Sequence, residues 1–160
     1  MSGTPRVEMV QYGTIYSNLD DLDTDITYTK EKDTHNFHVN THLVDIDQQT
    51  PIQGSMPVSM DYVYSKQGVT IKMDHCPYSA YMVLPVITSL LDVTEVDSKN
   101  MRIRKENGIL EISCVNGYLK VAPTDADGRI FNPVPGFSFI PLQVFPESPS
   151  KKIIVKIIYN

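Results

Sequence analysis

Apolar and polar residues alternate with a period of two along much of this chain, and no other feature limits its possible folds as strongly. In the segment 68–74, Val69, Ile71 and Met73 alternate with polar residues, and the segment 152–159 repeats the pattern. Successive side chains of a strand point to opposite faces, so this alternation predicts half-buried β-strands. Further strands are predicted at 7–16, 36–43, 58–64, 78–87, 101–105, 109–115, 117–122 and 137–145.

Residues that favour tight turns lie between these segments. Ser65–Gly68, Lys105–Gly108 and Asn116-Gly117 can each close a hairpin, because Asn and Gly tolerate positive φ. Many short strands joined by such turns are typical of an antiparallel two-layer β-sandwich, here jelly-roll-like with at most short helical turns. Pro85 and Pro141 interrupt strand-like runs, which predicts sheet edges or bulges.

The length and the net charge of the chain limit its domain organisation and its possible partners. The chain has 160 residues, which fits a single domain over 1–160, and its more polar residues 1–30 are expected to form an N-terminal arm or an edge strand. A net charge of −5 argues against a nucleic-acid partner, because that affinity rests on Lys and Arg. No apolar run approaches the roughly 20 residues of a membrane span, and no secretory signal is visible. Location stays open between cytoplasm, virion and a truncated secreted protein.

The sequence gives little indication that either cysteine is catalytic. Cys114 falls on the apolar side of the segment 110–114, which predicts a buried free thiol, with a Cys76–Cys114 disulfide as the alternative. His75 and Cys76 are adjacent, so on a strand they point apart and are poorly placed for Cys–His catalysis. Cys76 also precedes Pro77, which favours a structural turn.

Three histidines stand close together in the sequence. His38 and His42 share a strand face, but four residues at ~3.3 Å each separate them by about 13 Å, too far for one metal ion. His35 falls on the opposite face. The expected arrangement is a solvated strand face.

Acidic residues offer oxygen ligands for calcium in two places. The run Asp20, Asp21, Asp23 and Asp25 lacks the glycine and the closing glutamate of an EF-hand. Asp125 and Asp127, before Gly128, form a shorter fragment and are equally typical of a turn. We therefore predict no metal and no cofactor, with Asp125 and Asp127 as the nearest calcium candidates.

Nine tyrosines and no tryptophan are present. Exposed aromatic rings stack on the faces of sugars, so Tyr62, Tyr64, Tyr78 and Tyr81 are candidates for carbohydrate binding. Tyrosine is also simply a good strand former, which is the competing explanation.

Three stretches resemble a known family in strand rhythm and loop composition. Tyr62–Met73, Tyr81–Thr88 and Arg129–Val144 are similar to the C-terminal β-sandwich of heparinase-type polysaccharide lyases, and the similarity covers about half of the chain. In that family the sandwich accompanies a helical toroid that contributes much of the catalytic cleft. This chain has no such helical pattern, so the resemblance implies an accessory sandwich, and no catalytic residue can be carried over.

Three functions compete at this point. The first is a non-catalytic, carbohydrate-associated module whose partner is a polysaccharide. The second is a structural protein of a phage, virus or other assembly, such as a capsid decoration or tail component, with protein subunits as partners and a homo-oligomeric state. The third, less favoured, is an enzyme such as a jelly-roll isomerase or lyase, with histidines as bases. The loops 45–57 and 125–136, which the core pattern does not explain, are the expected places for function.

Overall fold

The computed structural model describes residues 6–11, 14–19, 21–45, 50–52, 56–95, 97–122 and 139–160. Within these ranges lie fourteen strands and one 3₁₀ turn at Leu90–Asp92. The strands are β1 Arg6–Gln11, β2 Thr14–Ser17, β3 Asp25–Glu31, β4 Thr34–Thr41, β5 Val44–Asp45, β6 Val58–Ser65, β7 Gly68–Asp74, β8 Ala80–Ile87, β9 Val93–Glu95, β10 Asn100–Lys105, β11 Gly108–Val115, β12 Gly117–Val121, β13 Ile140–Pro146 and β14 Ile153–Tyr159. No helix in the described part is long and apolar enough to cross a membrane.

The strands form two antiparallel sheets. One has six strands in the order β12-β13-β8-β1-β2-β5, and the other has eight in the order β3-β4-β6-β7-β14-β11-β10-β9. Ile71 and Val155 of the larger sheet share one buried core with Met82, Leu84 and Val144 of the smaller sheet. The predicted all-β, two-layer sandwich is confirmed.

The alternation read from the sequence sets the register of the central strands. In the β7–β14 pair, Ile71 lies opposite Val155 and Met73 lies opposite Ile153, and all four side chains are buried. Directly opposed residues share a face of the sheet, so the two alternating patterns combine into one apolar surface. This surface is the inner face of the eight-stranded sheet.

The prediction of one strand over 7–16 is wrong. The segment contains two strands, β1 and β2, which pair antiparallel with Gln11 opposite Thr14. Alternation alone does not show where a chain reverses, and Gly13 was the only turn residue between them. The sequence analysis also missed β3, whose residues are exposed throughout and carry no core signal. β3 forms an edge of the eight-stranded sheet, whereas β1 lies between β8 and β2.

The two strand prolines lie at an irregularity between β8 and β13. Ile140 pairs with Ile87 but Leu142 pairs with Leu84, so the register shifts around Pro141 and Pro85. The predicted bulge is confirmed. β8 is nevertheless an interior strand. Pro85 has no backbone N–H to donate, and it is tolerated there because the ladder of hydrogen bonds is already interrupted at the bulge.

Candidate functional site

A groove of about 680 Å³ opens on the inner face of the eight-stranded sheet, near its β3 edge. We call it the aromatic groove. Its floor and open side come from β4, β6 and β3, and its wall comes from the connection between β2 and β3. It is lined by Asn18, Leu19, Asp21, Thr24, Ile26, His35, Phe37, Val39, Met60, Tyr62 and Tyr64.

Strand register explains why these side chains meet. Three rows of directly opposed residues cross β3, β4 and β6: Ile26–Val39–Met60, Tyr28–Phe37–Tyr62 and Lys30–His35–Tyr64. Exposure rises toward the β3 edge, because the smaller sheet covers the centre of the larger one. From β6 to β3, exposure rises from 1% at Met60 to 61% at Ile26 in the first row and from 7% at Tyr62 to 51% at Tyr28 in the second. Tyr64, near the end of β6, is 39% exposed.

The aromatic rings of the groove contact one another and also Tyr28, which lies beside the groove on the same face of the sheet. Phe37 lies 4.9 Å from Tyr28 and 5.7 Å from Tyr64 between ring centroids, the second pair at an interplanar angle of 89°. Tyr62 and Tyr64 are stacked at 6.5 Å and 16°. Ring pairs of this kind restrict one another's rotation, so the floor is a preformed apolar surface.

The polar atoms of these aromatic residues differ in accessibility. The Tyr28 hydroxyl and His35 Nδ1 share a hydrogen bond of 2.8 Å at the open side. The Tyr62 hydroxyl instead donates to Met60 Sδ at 3.2 Å, and burial raises the pKa of Tyr62. Burial also raises the pKa of the half-covered Tyr64. Tyr62 therefore contributes ring surface, while Tyr28 and His35 offer polar atoms.

Asp21 fixes the wall of the groove. Its Oδ2 accepts hydrogen bonds from the backbone N–H of His42 at 2.6 Å and from the hydroxyls of Thr41 and Thr24, while Oδ1 accepts from the backbone N–H of Asp23. Burial by itself would raise the pKa of this carboxyl, but these donors outweigh it and hold the pKa below its usual range. The β2–β3 connection is thereby tied to the end of β4.

Two of the four tyrosines proposed from the sequence, Tyr62 and Tyr64, lie together in the groove. Tyr78 is 71% exposed between β7 and β8, and Tyr81 packs on Phe145 at 5.0 Å; neither lines the groove. The sequence analysis missed Tyr28 and Phe37. The alternation of Ile26 and Tyr28 with polar residues was the available signal.

The three neighbouring histidines have separate partners. His35 faces the aromatic groove, His38 Nδ1 lies 2.6 Å from Asp61 Oδ1 on the other face of the sheet, and His42 Nδ1 lies 3.4 Å from Asp21 Oδ2. Among the described residues, no three His, Cys, Asp or Glu side chains lie close enough to hold a metal ion. Asp20, Asp125 and Asp127 lie outside the described residues.

Both cysteines are buried free thiols, as predicted for Cys114, and the alternative disulfide is wrong. Burial raises the pKa of Cys76 to about 12 and that of Cys114 to about 11. His75 is exposed in a positive-φ conformation beside the buried Cys76, an arrangement that does not form a Cys–His pair. A protonated, buried thiol is a poor nucleophile.

The two loops named from the sequence are described only in part. Residues 125–136 lie outside the described ranges, as do 46–49 and 53–55 of the first loop. In the described part of that loop, the Asp45 N–H donates to Thr50 O at 2.9 Å and the Ile52 N–H donates to Leu43 O at 3.2 Å.

A β-sandwich with an open aromatic groove suits a carbohydrate-associated domain, and comparison with known proteins identifies the class. The chain belongs to the family described as ulvan lyase C-terminal domain, which matches residues 1–160. The predicted resemblance to the C-terminal domain of polysaccharide lyases is confirmed, and the phage or virus alternative gains no support.

Among individual proteins, the chain is similar to a broad-specificity ulvan lyase of Formosa agariphila. The two are 27% identical over 157 residues, which cover 95% of this chain and 24% of the relative. The chain thus spans about a quarter of the length of that relative. No solved structure matches the chain.

Proposed function

We propose that this domain is a non-catalytic, carbohydrate-binding terminal module of a polysaccharide lyase, and that it holds a sugar chain in the aromatic groove. The observation that carries the proposal is the exposed ring of Tyr64 in the groove, with the exposed ring of Tyr28 beside it, next to the packed aromatic residues of the floor. The relative named as an ulvan lyase supports ulvan as the polysaccharide.

The chemistry of the groove fits a sugar ring. A pyranose has an apolar face of C–H groups, which packs on an aromatic ring, and a rim of hydroxyl groups, which need hydrogen-bonding partners. The rings of Tyr28 and Tyr64 supply the first kind of contact, and the Tyr28 hydroxyl and His35 supply the second. A mostly apolar cleft with a few polar groups at its rim is typical of ligand sites.

Several side chains support a binding rather than a catalytic role. Cys76 and Cys114 are buried and protonated at neutral pH. His38 and His42 each lie against a carboxylate rather than in the groove. The groove therefore offers ring stacking and hydrogen bonding as its main interactions.

Binding of ulvan oligosaccharides, measured by isothermal titration calorimetry, tests this proposal. We expect Tyr64→Ala to weaken binding about tenfold, which corresponds to ~1.4 kcal/mol of lost stacking. Tyr78→Ala is the control, because it removes a tyrosine outside the groove that is more exposed than Tyr64, and it should leave affinity unchanged. Equal effects of the two substitutions, or a loss only in Tyr78→Ala, would contradict the groove as the site.

The absence of catalysis has its own test. The 160-residue chain, incubated with ulvan, is expected to release no unsaturated sugar ends, which are detected by their ultraviolet absorbance. Steady release that disappears in His35→Ala would show that the domain is catalytic and overturn this part of the proposal.

A further inference from the structure

We infer that the outer face of the eight-stranded sheet is a second carbohydrate-binding surface, which holds an extended anionic polysaccharide across the strands. We call it the polar face. The ligand class rests on the proposed function, but the side chains of this face point away from the core, whereas those of the aromatic groove point toward it. Phe37 and Tyr62 border both the groove and a depression of the polar face. The inference starts from two shallow depressions on this face.

The first depression, of about 330 Å³, is lined by side chains that include Thr27, Asn36, His38, Asp61 and Lys72. The second, of about 320 Å³, includes Asn100, Arg102, Glu111 and Ser113. Strand register puts both sets on the side of the sheet opposite the core.

Thr70 and Lys156, which are directly opposed in the β7–β14 pair, lie between the two depressions on the same face. The depressions and the residues between them therefore form one band that crosses seven strands.

Hydrogen-bonding groups recur along this band. One row of opposed residues reads Thr29, Asn36, Val63, Thr70, Lys156, Ser113 and Asn100. Neighbouring strands lie ~4.8 Å apart, so seven strands extend over about 29 Å. A chain of several sugar rings laid across the strands would meet a hydroxyl, amide or ammonium group at almost every strand.

The charges of the band leave two cations at its centre. Arg102 pairs with Glu111 at 3.0 Å and Lys152 with Asp74 at 3.3 Å, while His38 Nδ1 and Asp61 Oδ1 share a hydrogen bond of 2.6 Å. Within the described ranges, Lys72 and Lys156 have no such partner.

These two lysines are diagonal neighbours on β7 and β14, a separation of about 7–8 Å. The carboxylates of Asp25 and Glu31, which form no ion pair within the described residues, lie at the β3 edge, away from the two lysines. Asp61 lies directly opposite Lys72 and is hydrogen-bonded to His38. An anionic chain is the ligand that this distribution attracts.

Other polyanions and partners fit this face less well. A protein interface usually has an apolar, aromatic-rich centre. Among the described residues, no Phe or Tyr side chain points outward from the polar face, since Phe37 and Tyr62 at the first depression belong to the inner rows. The exposed apolar side chains of this face, Ile109, Val115 and Ile158, are interspersed with Glu111, Ser113 and Lys156.

A nucleic acid carries a phosphate on every nucleotide and is bound by dense arrays of Lys and Arg, whereas the centre of this band offers two lysines without an ion pair among the described residues. The ligand that fits this face best is therefore a hydrated polysaccharide, bound by exposed ion pairs and hydrogen bonds. Binding of this kind weakens as salt screens the charges.

The test measures ulvan binding by calorimetry at low and high salt. We expect the double variant Lys72→Gln/Lys156→Gln to bind roughly three- to tenfold more weakly at low salt and to lose most of the salt dependence. The control Lys120→Gln/Lys151→Gln makes the same charge change on exposed lysines elsewhere and should bind like the unchanged chain. Circular dichroism checks that both variants are folded.

Each proposal fails in a different way. Unchanged affinity and salt dependence in Lys72→Gln/Lys156→Gln would overturn the polar face while leaving the groove intact. Tyr64→Ala should weaken binding at every salt concentration, and if it alone has no effect, the groove is wrong and the polar face stands. A chain that binds no ulvan at low salt would overturn both.

Discussion

Asp21 shows how a single side chain shapes the candidate site. Its side chain is 3% exposed, and its carboxylate receives four hydrogen bonds, two from backbone N–H groups and two from threonine hydroxyls. All of these donors belong to the β2–β3 connection or to the end of β4. The residue therefore acts on the groove by positioning its wall, and it needs no contact with a ligand to do so.

Replacing Asp21 by Asn removes the charge that these donors stabilise. We expect Asp21→Asn to lower the free energy of unfolding by about 1–3 kcal/mol at pH 7, since the amide leaves part of the donor set poorly paired. Urea unfolding followed by circular dichroism measures the loss. Asp33→Asn, at an exposed ion pair with Lys66, is the control and should cost less than ~1 kcal/mol.

The difference in stability between the unchanged chain and Asp21→Asn should depend on pH in one direction. The pKa of Asp21 is lower in the folded state than in the unfolded chain, so its stabilisation is complete above the unfolded pKa of about 3.9. It is lost as the pH falls through the folded pKa. The stability gap between the unchanged chain and Asp21→Asn should therefore shrink below about pH 4. A gap that stays constant down to pH 2 would contradict the assigned hydrogen bonds.

At the scale of elements, the β6–β7 hairpin joins the groove to the centre of the larger sheet. The turn at Ser65–Gly68 was predicted from its residues and is confirmed. Gly68 has a φ of 144° and packs closely on β14, where a Cβ atom would lie 2.0 Å from the Ile157 carbonyl oxygen. Its backbone conformation and this contact both require glycine.

Gly68→Ala should therefore destabilise the protein by more than about 1 kcal/mol, because β7 and β14 would have to move apart or the backbone would have to change. The urea midpoint reports the effect. Gln67→Ala changes an exposed neighbour in the same turn and is expected to stay within about 0.5 kcal/mol of the unchanged chain. Similar midpoints for the two variants would show that the approach to β14 is not tight.

On the scale of the whole molecule, both sheets contribute to one hydrophobic core. Cys76 lies between β7 and β8 and Cys114 lies on β11, yet both belong to the same buried cluster. A shared core predicts that the sheets unfold together. The two thiols are natural probes of this behaviour.

Neither thiol should react with a disulfide reagent in the native protein at pH 8, where a free cysteine is partly ionised. In Cys76→Ala and Cys114→Ala, the single remaining thiol should become reactive at the urea concentration where that variant loses its circular dichroism signal. Reaction of either thiol well before the loss of strand structure would show that the core unfolds in separate parts.

Much of the fold could be predicted because the evidence is local. Val69, Ile71 and Met73 alternate with polar residues, and this fixes which side of β7 is buried wherever that strand lies. The site was predicted less completely. Tyr62 and Tyr64 were identified as candidates, but Tyr28 and Phe37 were not, since a ring on an exposed edge strand looks the same in sequence as any surface tyrosine.

The sequence by itself determined the β-sandwich class, the inner faces of its central strands and the buried thiol of Cys114. Each of these follows from the identity of residues a few positions apart. Only the tertiary structure decided that the larger sheet extends past the smaller one at β3 and β4. That offset depends on which distant strands pair, and it leaves Phe37 and Tyr64 partly uncovered in an open groove, with Tyr28 exposed beside it, instead of in a closed core.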